Sequence, residues 1–337
     1  MKIMNGRIKM TKIEKQIIGI SPKIKSIRNA LKNIANSSDN ILVSGDIGTG
    51  KHHVAKVIQS LSGKHSDKAV EFNCFATPER LHEEKLFGYV DEQGNEFSGL
   101  IDDAAEATLM LVQFEKLSEV AQSGLLNILL YGKFFRKNGN DDVETNLRII
   151  SITDRDIAEL NDNLDFDSNL LSKLNEVEIH LPPLSEREED IPLLFEHFLK
   201  QESAKTKRKI PKISPEIIEH LFMRKWKGNV AQLRSVANTM LVSSGGKDLK
   251  LDLLISYSTE DSTDLLLKLY YQFKAKGQTI KELRYDIERT VLNRALVETN
   301  YNAKRAGINI GLSEPGMRMA MKRLGILTKK QKKNLLI

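Results

Sequence analysis

Apolar residues first recur at helical spacing between Ile17 and Ile34, through Ile20, Ile24, Ile27 and Leu31, which predicts an amphipathic helix closed by a Ser-Ser-Asp-Asn turn. Ile41-Leu42-Val43 then reads as a short buried strand, followed by a glycine-rich turn and a helix that carries Val54, Ala55, Val57, Ile58 and Leu61. Further apolar runs at Ala69 to Phe72, Leu109 to Val112, Leu147 to Ile152 and Val177 to Leu181 alternate with helical stretches. That alternation predicts a mostly parallel sheet of crossover units. After Pro182-Pro183 the pattern turns wholly helical, over Ile191 to Leu199, Pro215 to Met223 and Val230 to Val242. The expected fold class is α/β, a parallel sheet with a helical lid, followed by an all-α domain.

These patterns divide the chain into a basic lead over residues 1–16, an α/β subdomain over 17–182 and a helical lid over 183–243. A Ser-, Gly- and Asp-rich linker spans 244–263, a compact helical domain 264–327, and a basic tail 328–337. Composition agrees with packed domains: of 337 residues, 40% are hydrophobic and 28% charged. The single cysteine, Cys74, excludes an internal disulfide framework. The N-terminus lacks the apolar region of a signal peptide, and no segment approaches ~20 uninterrupted apolar residues, so no membrane association and a cytoplasmic location are expected.

Charge matters through its placement. The net is +6, yet from Tyr301 to Ile337 nine bases face one acid, leaving the first 300 residues at −2. Attraction for a polyanion therefore belongs to the last tenth of the chain. A solvated basic tail would have the same composition.

The candidate chemistry starts at Gly45, Asp46, Ile47, Gly48, Thr49, Gly50 and Lys51, a G-x4-G-K frame between a predicted strand and a predicted helix. Glycines there let backbone N–H groups curl around phosphates, the lysine reaches the terminal ones, and the helix N-terminus favours an anion. The competing reading is a merely structural turn. His52 fills the slot where a hydroxyl normally holds Mg²⁺, and an imidazole is a poor hard-cation ligand. His52 and His53 are adjacent on a helix, about 100° apart, and no second ligand lies at metal spacing, so no protein metal site is expected.

In this order, Ile18-Gly-Ile-Ser-Pro22, Ser44 to Lys51, Phe72-Asn-Cys74, Glu84-Lys-Leu-Phe-Gly88, Leu181 to Pro192 and Trp226-Lys-Gly-Asn-Val230 resemble the AAA+ core of bacterial sigma-54-dependent enhancer-binding proteins. The resemblance implies an AAA+ P-loop fold, ATP or ADP as ligand, and assembly into a dimer or higher oligomer. It also exposes losses. Where the family carries Asp-Glu for Mg²⁺ and the attacking water, this chain has Val112 and Gln113. The two arginine-finger positions hold Asp167 and Lys173, the sensor asparagine position Asp154, and the sensor arginine position Ala231. Asn95 to Leu100 stands for the sigma-contacting loop, keeping Phe97 and Gly99, and no receiver domain is expected before Ile17. With metal ligand, water activator and fingers gone, no catalytic residue is assigned and turnover is not expected.

Asn302 to Gly325 reads on its own as helix-turn-helix: Ala303 to Ile308, a turn at Gly311, then a second helix with Ser313 as N-cap and Pro315 in its first turn. Met317, Met321 and Leu324 share an inward face, while Arg318, Lys322 and Arg323 lie on another. Such a face suits the major groove, with Lys304 and Arg305 on the backbone and Lys329 to Lys333 adding nonspecific affinity. The segment also resembles the Fis-type module that ends these activators, and the helix Leu283 to Leu296 is expected to pair two chains.

The expected function is a nucleoid-associated transcriptional regulator that binds double-stranded DNA and holds ATP or ADP without hydrolysing it. Two alternatives stand beside it: a weakly active ATPase that remodels sigma-54 RNA polymerase, and a nucleotide-free oligomerisation scaffold.

Overall fold

A computed structural model describes residues 12–34, 37–62, 69–104, 107–162, 165–245, 247–249, 277 and 279–326. The chain divides into two units, Met1–Tyr257 and Ser258–Ile337. Most of the expected linker, the start of the C-terminal domain and the basic tail with Lys329 to Lys333 lie outside the described residues, as does most of the basic lead.

Among its described residues the first unit has nine strands: β1 (Ile41–Ser44), β2 (Ala69–Asn73), β3 (Tyr89–Val90), β4 (Glu96–Phe97), β5 (Thr108–Val112), β6 (Lys133–Phe135), β7 (Asp142–Glu144), β8 (Arg148–Ile152) and β9 (Val177–His180). Five form one parallel sheet in the order β2-β5-β8-β1-β9. β1 and β8 are buried at every position, and their largely apolar sequences suit strands covered on both faces, with Ser44, Arg148 and Ser151 as the buried polar exceptions. One face packs Leu42, Phe72, Leu109 and Leu111 against Phe114, Leu125 and Leu170; the other packs Val43, Met110 and Ile150 against Ile24, Val54 and Ile58. Each such side chain, fully buried, contributes about 1.5–3 kcal/mol.

The N-terminal pattern folds differently from its periodicity. Instead of one helix from Ile17, helices Lys12–Gln16 and Pro22–Ile34 flank an irregular segment, and Ile20 is 50% exposed. The break has a distant cause. The buried Asp190 carboxylate accepts from the backbone N–H of Ile20 (2.5 Å) and Ser21 (2.8 Å) and from the Ser21 hydroxyl (2.7 Å). Those N–H groups are thereby taken from any helical ladder, and Pro22 restarts the helix where a missing N–H costs nothing.

Beyond Pro183 three helices, Ile191–Thr206, Pro215–Met223 and Asn229–Ser243, enclose Phe195, Leu199, Leu221, Leu233 and Trp226. The Trp226 indole donates to the Leu221 carbonyl at 2.9 Å, satisfying its one polar atom inside the lid core.

In the second unit, a long helix Ile280–Glu298 is opened by a Thr279–Glu282 capping box. Helices Ala303–Asn309 and Glu314–Arg323 follow, capped by the side chains of Asn302 and Ser313. The turn between them contains Gly311 at φ 73°, a conformation that disfavours side chains with a Cβ. Leu292, Leu296, Ala306, Met317, Met321 and Leu324 form its core, as the spacing of the two methionines predicts.

Candidate functional site

The site lies at the carboxyl edge of the sheet, where β1 gives way to the glycine-rich loop and the helix Lys51–Leu61. Gly50 caps this helix at φ 105° with no side-chain hydrogen bond, so the first-turn amides are offered outward at the positive end of the helix dipole. Thr49 closes the loop internally, its hydroxyl donating to the Asp46 carbonyl at 2.8 Å.

Lys51 is 6% exposed and fully engaged. Its ammonium donates to the carbonyls of Gly45 (2.6 Å) and Asp46 (2.7 Å) and meets the Asp154 carboxylate at 2.5 Å. Asp154 follows the end of β8, whose Ile152 pairs with Val112 of β5, and this places an acid directly on the loop lysine.

The lid meets the loop at the loop's main-chain carbonyls. The Ala231 N–H donates to the Gly48 carbonyl (3.0 Å), the Asn229 amide to the Ile47 carbonyl (2.9 Å), and the Arg187 guanidinium to the Thr49 carbonyl (2.7 Å). Gly48 sits at φ 80° with the Gly228 carbonyl where a Cβ would lie, so a side chain is excluded there.

Between loop, sheet edge and lid is a cavity of about 590 Å³. Val112, Gln113 and Asp154 line its sheet edge, Ile17, Ile18, Ile24 and Val230 give an apolar wall, and Arg187 and Arg234 bring cations from the lid. Sequence reasoning missed both arginines. Arg234 lies one turn beyond Ala231 on the same helix, and its guanidinium is 6.0 Å from the centre of the Phe198 ring. Arg187 is 3% exposed; burial draws its pKa down, against the pull of Asp190, and its Nε–H has no partner.

Other predicted positions have local roles. The His52 imidazole faces Glu71 at 3.1 Å. Asp167 caps the helix Ser168–Leu174, accepting from the N–H of Asn169 (2.7 Å) and Leu170 (3.1 Å). Lys173 is half-buried on that helix, and its carbonyl accepts from Asn40 at 3.1 Å. The ligand positions at His52 and Val112 therefore do not fit a hard cation; among carboxylates lining the cavity, Asp154 alone does, within the described residues.

The loop between β3 and β4 is a short hairpin. Phe97 stacks on Tyr89 with ring centres 4.5 Å apart and planes 7° from parallel. Arg136 ties its base down, gripping both oxygens of Asp102 (2.8 and 2.9 Å) and reaching Glu96 at 3.2 Å. Leu100, placed by sequence at the loop's end, begins the helix Leu100–Ala104, which packs Ile101 and Ala104 into the core.

In the second unit Lys304, Arg305, Arg318, Lys322 and Arg323 are all exposed. Arg318 bonds Glu314 one turn back at 2.8 Å, and Arg323 bonds Glu288 of the long helix. Among the described residues, Lys304, Arg305 and Lys322 form no ion pair. Ser313 accepts from the Gly316 N–H at 3.2 Å, so its hydroxyl is engaged as a cap. No helix of the described residues is long and apolar enough to cross a membrane, and none of their His, Cys, Asp and Glu side chains form a metal-holding group of three or more.

Residues 17–180 match the Sigma-54 interaction domain and residues 185–265 the AAA+ ATPase lid domain. The formate hydrogenlyase transcriptional activator FhlA of Escherichia coli (strain K12) is 32% identical over 320 residues, 92% of this chain and 44% of FhlA. The chain thus spans less than half the length of that relative. The response regulator protein PilR of Pseudomonas aeruginosa is 29% identical over 338 residues, 97% of this chain and 73% of PilR. Among solved structures, NtrX from Brucella abortus in complex with ATP has a TM-score of 0.66 at 25% identity, covering 92% of this chain and 69% of NtrX. The same protein in complex with ADP has a TM-score of 0.66 at 23% identity, a likeness of fold. Sheet, loop and lid are those of an AAA+ fold, and the chain carries the AAA+ domain of the sigma-54-dependent transcriptional activator family.

Proposed function

We propose that this chain is a DNA-binding transcriptional regulator in which ATP or ADP is a ligand and not a fuel. The observation that carries the reading is the pairing of an intact phosphate loop with Val112 and Gln113 at the cavity edge. The loop amides and Lys51 suit phosphates, and the wall of Ile17, Ile18, Ile24 and Val230 suits a base. Valine ligates no cation, and glutamine takes no proton from water at neutral pH. Asp167, spent on capping, supplies negative charge where a finger would neutralise it. Occupancy of the cavity would then bias how loop and lid sit, and through them assembly as a dimer or higher oligomer.

Double-stranded DNA is the partner of the second unit in this reading. The helix Glu314–Arg323 would enter the major groove with Arg318, Lys322 and Arg323, while Lys304 and Arg305 hold phosphates. The groove along the long helix, lined by Ile280, Ile287 and Val291, would receive a second copy, so that two half-sites are read. Such a protein works in the cytoplasm, at the nucleoid.

A second reading keeps RNA polymerase as partner through a slow ATPase acting on sigma-54, favoured by the matched interaction domain. The compact hairpin with Phe97 stacked on Tyr89 weighs against it. Phosphate release separates them: no Lys51-dependent turnover is expected above background, and turnover lost in Lys51→Ala would establish the second reading. In calorimetry Lys51→Ala is expected to weaken ATP binding by roughly 10- to 100-fold, the loss of a charge-assisted contact worth about 1.5–3 kcal/mol. Absence of ATP and ADP binding by the unaltered chain would leave the nucleotide-free scaffold.

A further inference from the structure

The loop lysine carries the argument one step further. Lys51 has three N–H donors and three acceptors: two loop carbonyls and Asp154. Its charge is answered from the end of β8, not from the end of β5, where Val112 stands. β8 lies between β5 and β1, so the carboxylate sits one strand nearer the loop. A triphosphate entering the cavity must draw Lys51 to itself, and Asp154 is then left facing phosphate oxygens. Two anions at contact repel; a divalent cation between them converts the repulsion into coordination, and Mg²⁺ is commonly held by one or two carboxylates together with substrate phosphates. Arg187 and Arg234 also line the cavity from the lid, which suits a phosphate-bearing ligand beside Asp154.

We propose, resting on the reading that the cavity takes ATP or ADP, that Asp154 is a relocated metal carboxylate: it neutralises Lys51 in the nucleotide-free chain and holds Mg²⁺ with the phosphates once Lys51 has moved to them. The relocation restores a clamp without a base. Gln113 remains the side chain at the water-activating position, and Glu115, bonded to Thr153, does not line the cavity.

Calorimetry of ATP with the full chain, in excess Mg²⁺ or in EDTA, tests this. The unaltered chain is expected to bind about tenfold tighter or more with Mg²⁺. Asp154→Asn should bind equally in both conditions, and metal-free ATP more tightly than the unaltered chain. The double variant Val112→Asp with Asp154→Asn should regain the preference, which controls for misfolding. With Mn²⁺ as probe, the paramagnetic signal of ATP-bound metal should be altered by the unaltered chain and not by Asp154→Asn. Equal affinity of the unaltered chain with and without Mg²⁺, or a preference kept by Asp154→Asn, overturns the proposal and leaves the nucleotide reading standing. Failure of the unaltered chain to bind ATP or ADP in either condition defeats that reading itself.

Discussion

Glu115 stands two residues beyond Gln113, and burial pushes its carboxyl above the usual range, against a backbone N–H and the Thr153 hydroxyl that draw it down. The folded chain therefore holds this proton to higher pH than the unfolded one does. Stability falls as pH rises from the unfolded value through the folded value. Glu115→Gln removes the titration, so its melting temperature is expected to exceed that of the unaltered chain near about pH 7.5 and to converge with it near about pH 4. An advantage that grew on acidification would contradict the burial argument. The identities of Val112, Gln113, Asp154 and Asp167 were legible residue by residue in the sequence, but their partners in the fold were not. Nothing in the spacing of Asp154 and Lys51, 103 positions apart, announces a contact that exists because β1 and β8 are neighbours.

Short elements explain what individual substitutions leave behind. Asp167 starts the helix Ser168–Leu174, so Asp167→Ala is expected to cost about 1 kcal/mol, read as a lower midpoint in urea. Ser313→Ala should destabilise the second unit by about 1 kcal/mol for the same reason, seen as early melting of its helical signal. Ser313, Gly311 and the methionine spacing were readable because caps, turns and inward faces are fixed within a few residues of chain. The five strands of the parallel sheet were readable because each keeps a short cluster of apolar residues between helical stretches, even where Glu71, Ser151 or Glu178 interrupts it. The break between Ile17 and Pro22 was not, since the carboxylate that enforces it, Asp190, lies about 170 positions away. The hairpins β3–β4 and β6–β7 were also missed: two or three residues per strand give too little alternation to register a period of two.

At the scale of the whole chain, the two units are expected to separate functionally. A chain ending at Tyr257 should keep nucleotide affinity and lose DNA binding in a mobility-shift assay. In the full chain, Lys304→Ala should weaken DNA binding about equally on all sequences and lower the salt slope by about 1, whereas Arg318→Ala should relax discrimination between sites. A slope unchanged in Lys304→Ala would remove that residue from the phosphate contacts. Because the lid reads Ile47, Gly48 and Thr49 through their carbonyl oxygens, the sensing surface on the loop side is the peptide backbone itself. Substitution within the loop leaves those three acceptors in place, so on the lid side the linkage depends on the Asn229 and Arg187 side chains together with the Ala231 N–H.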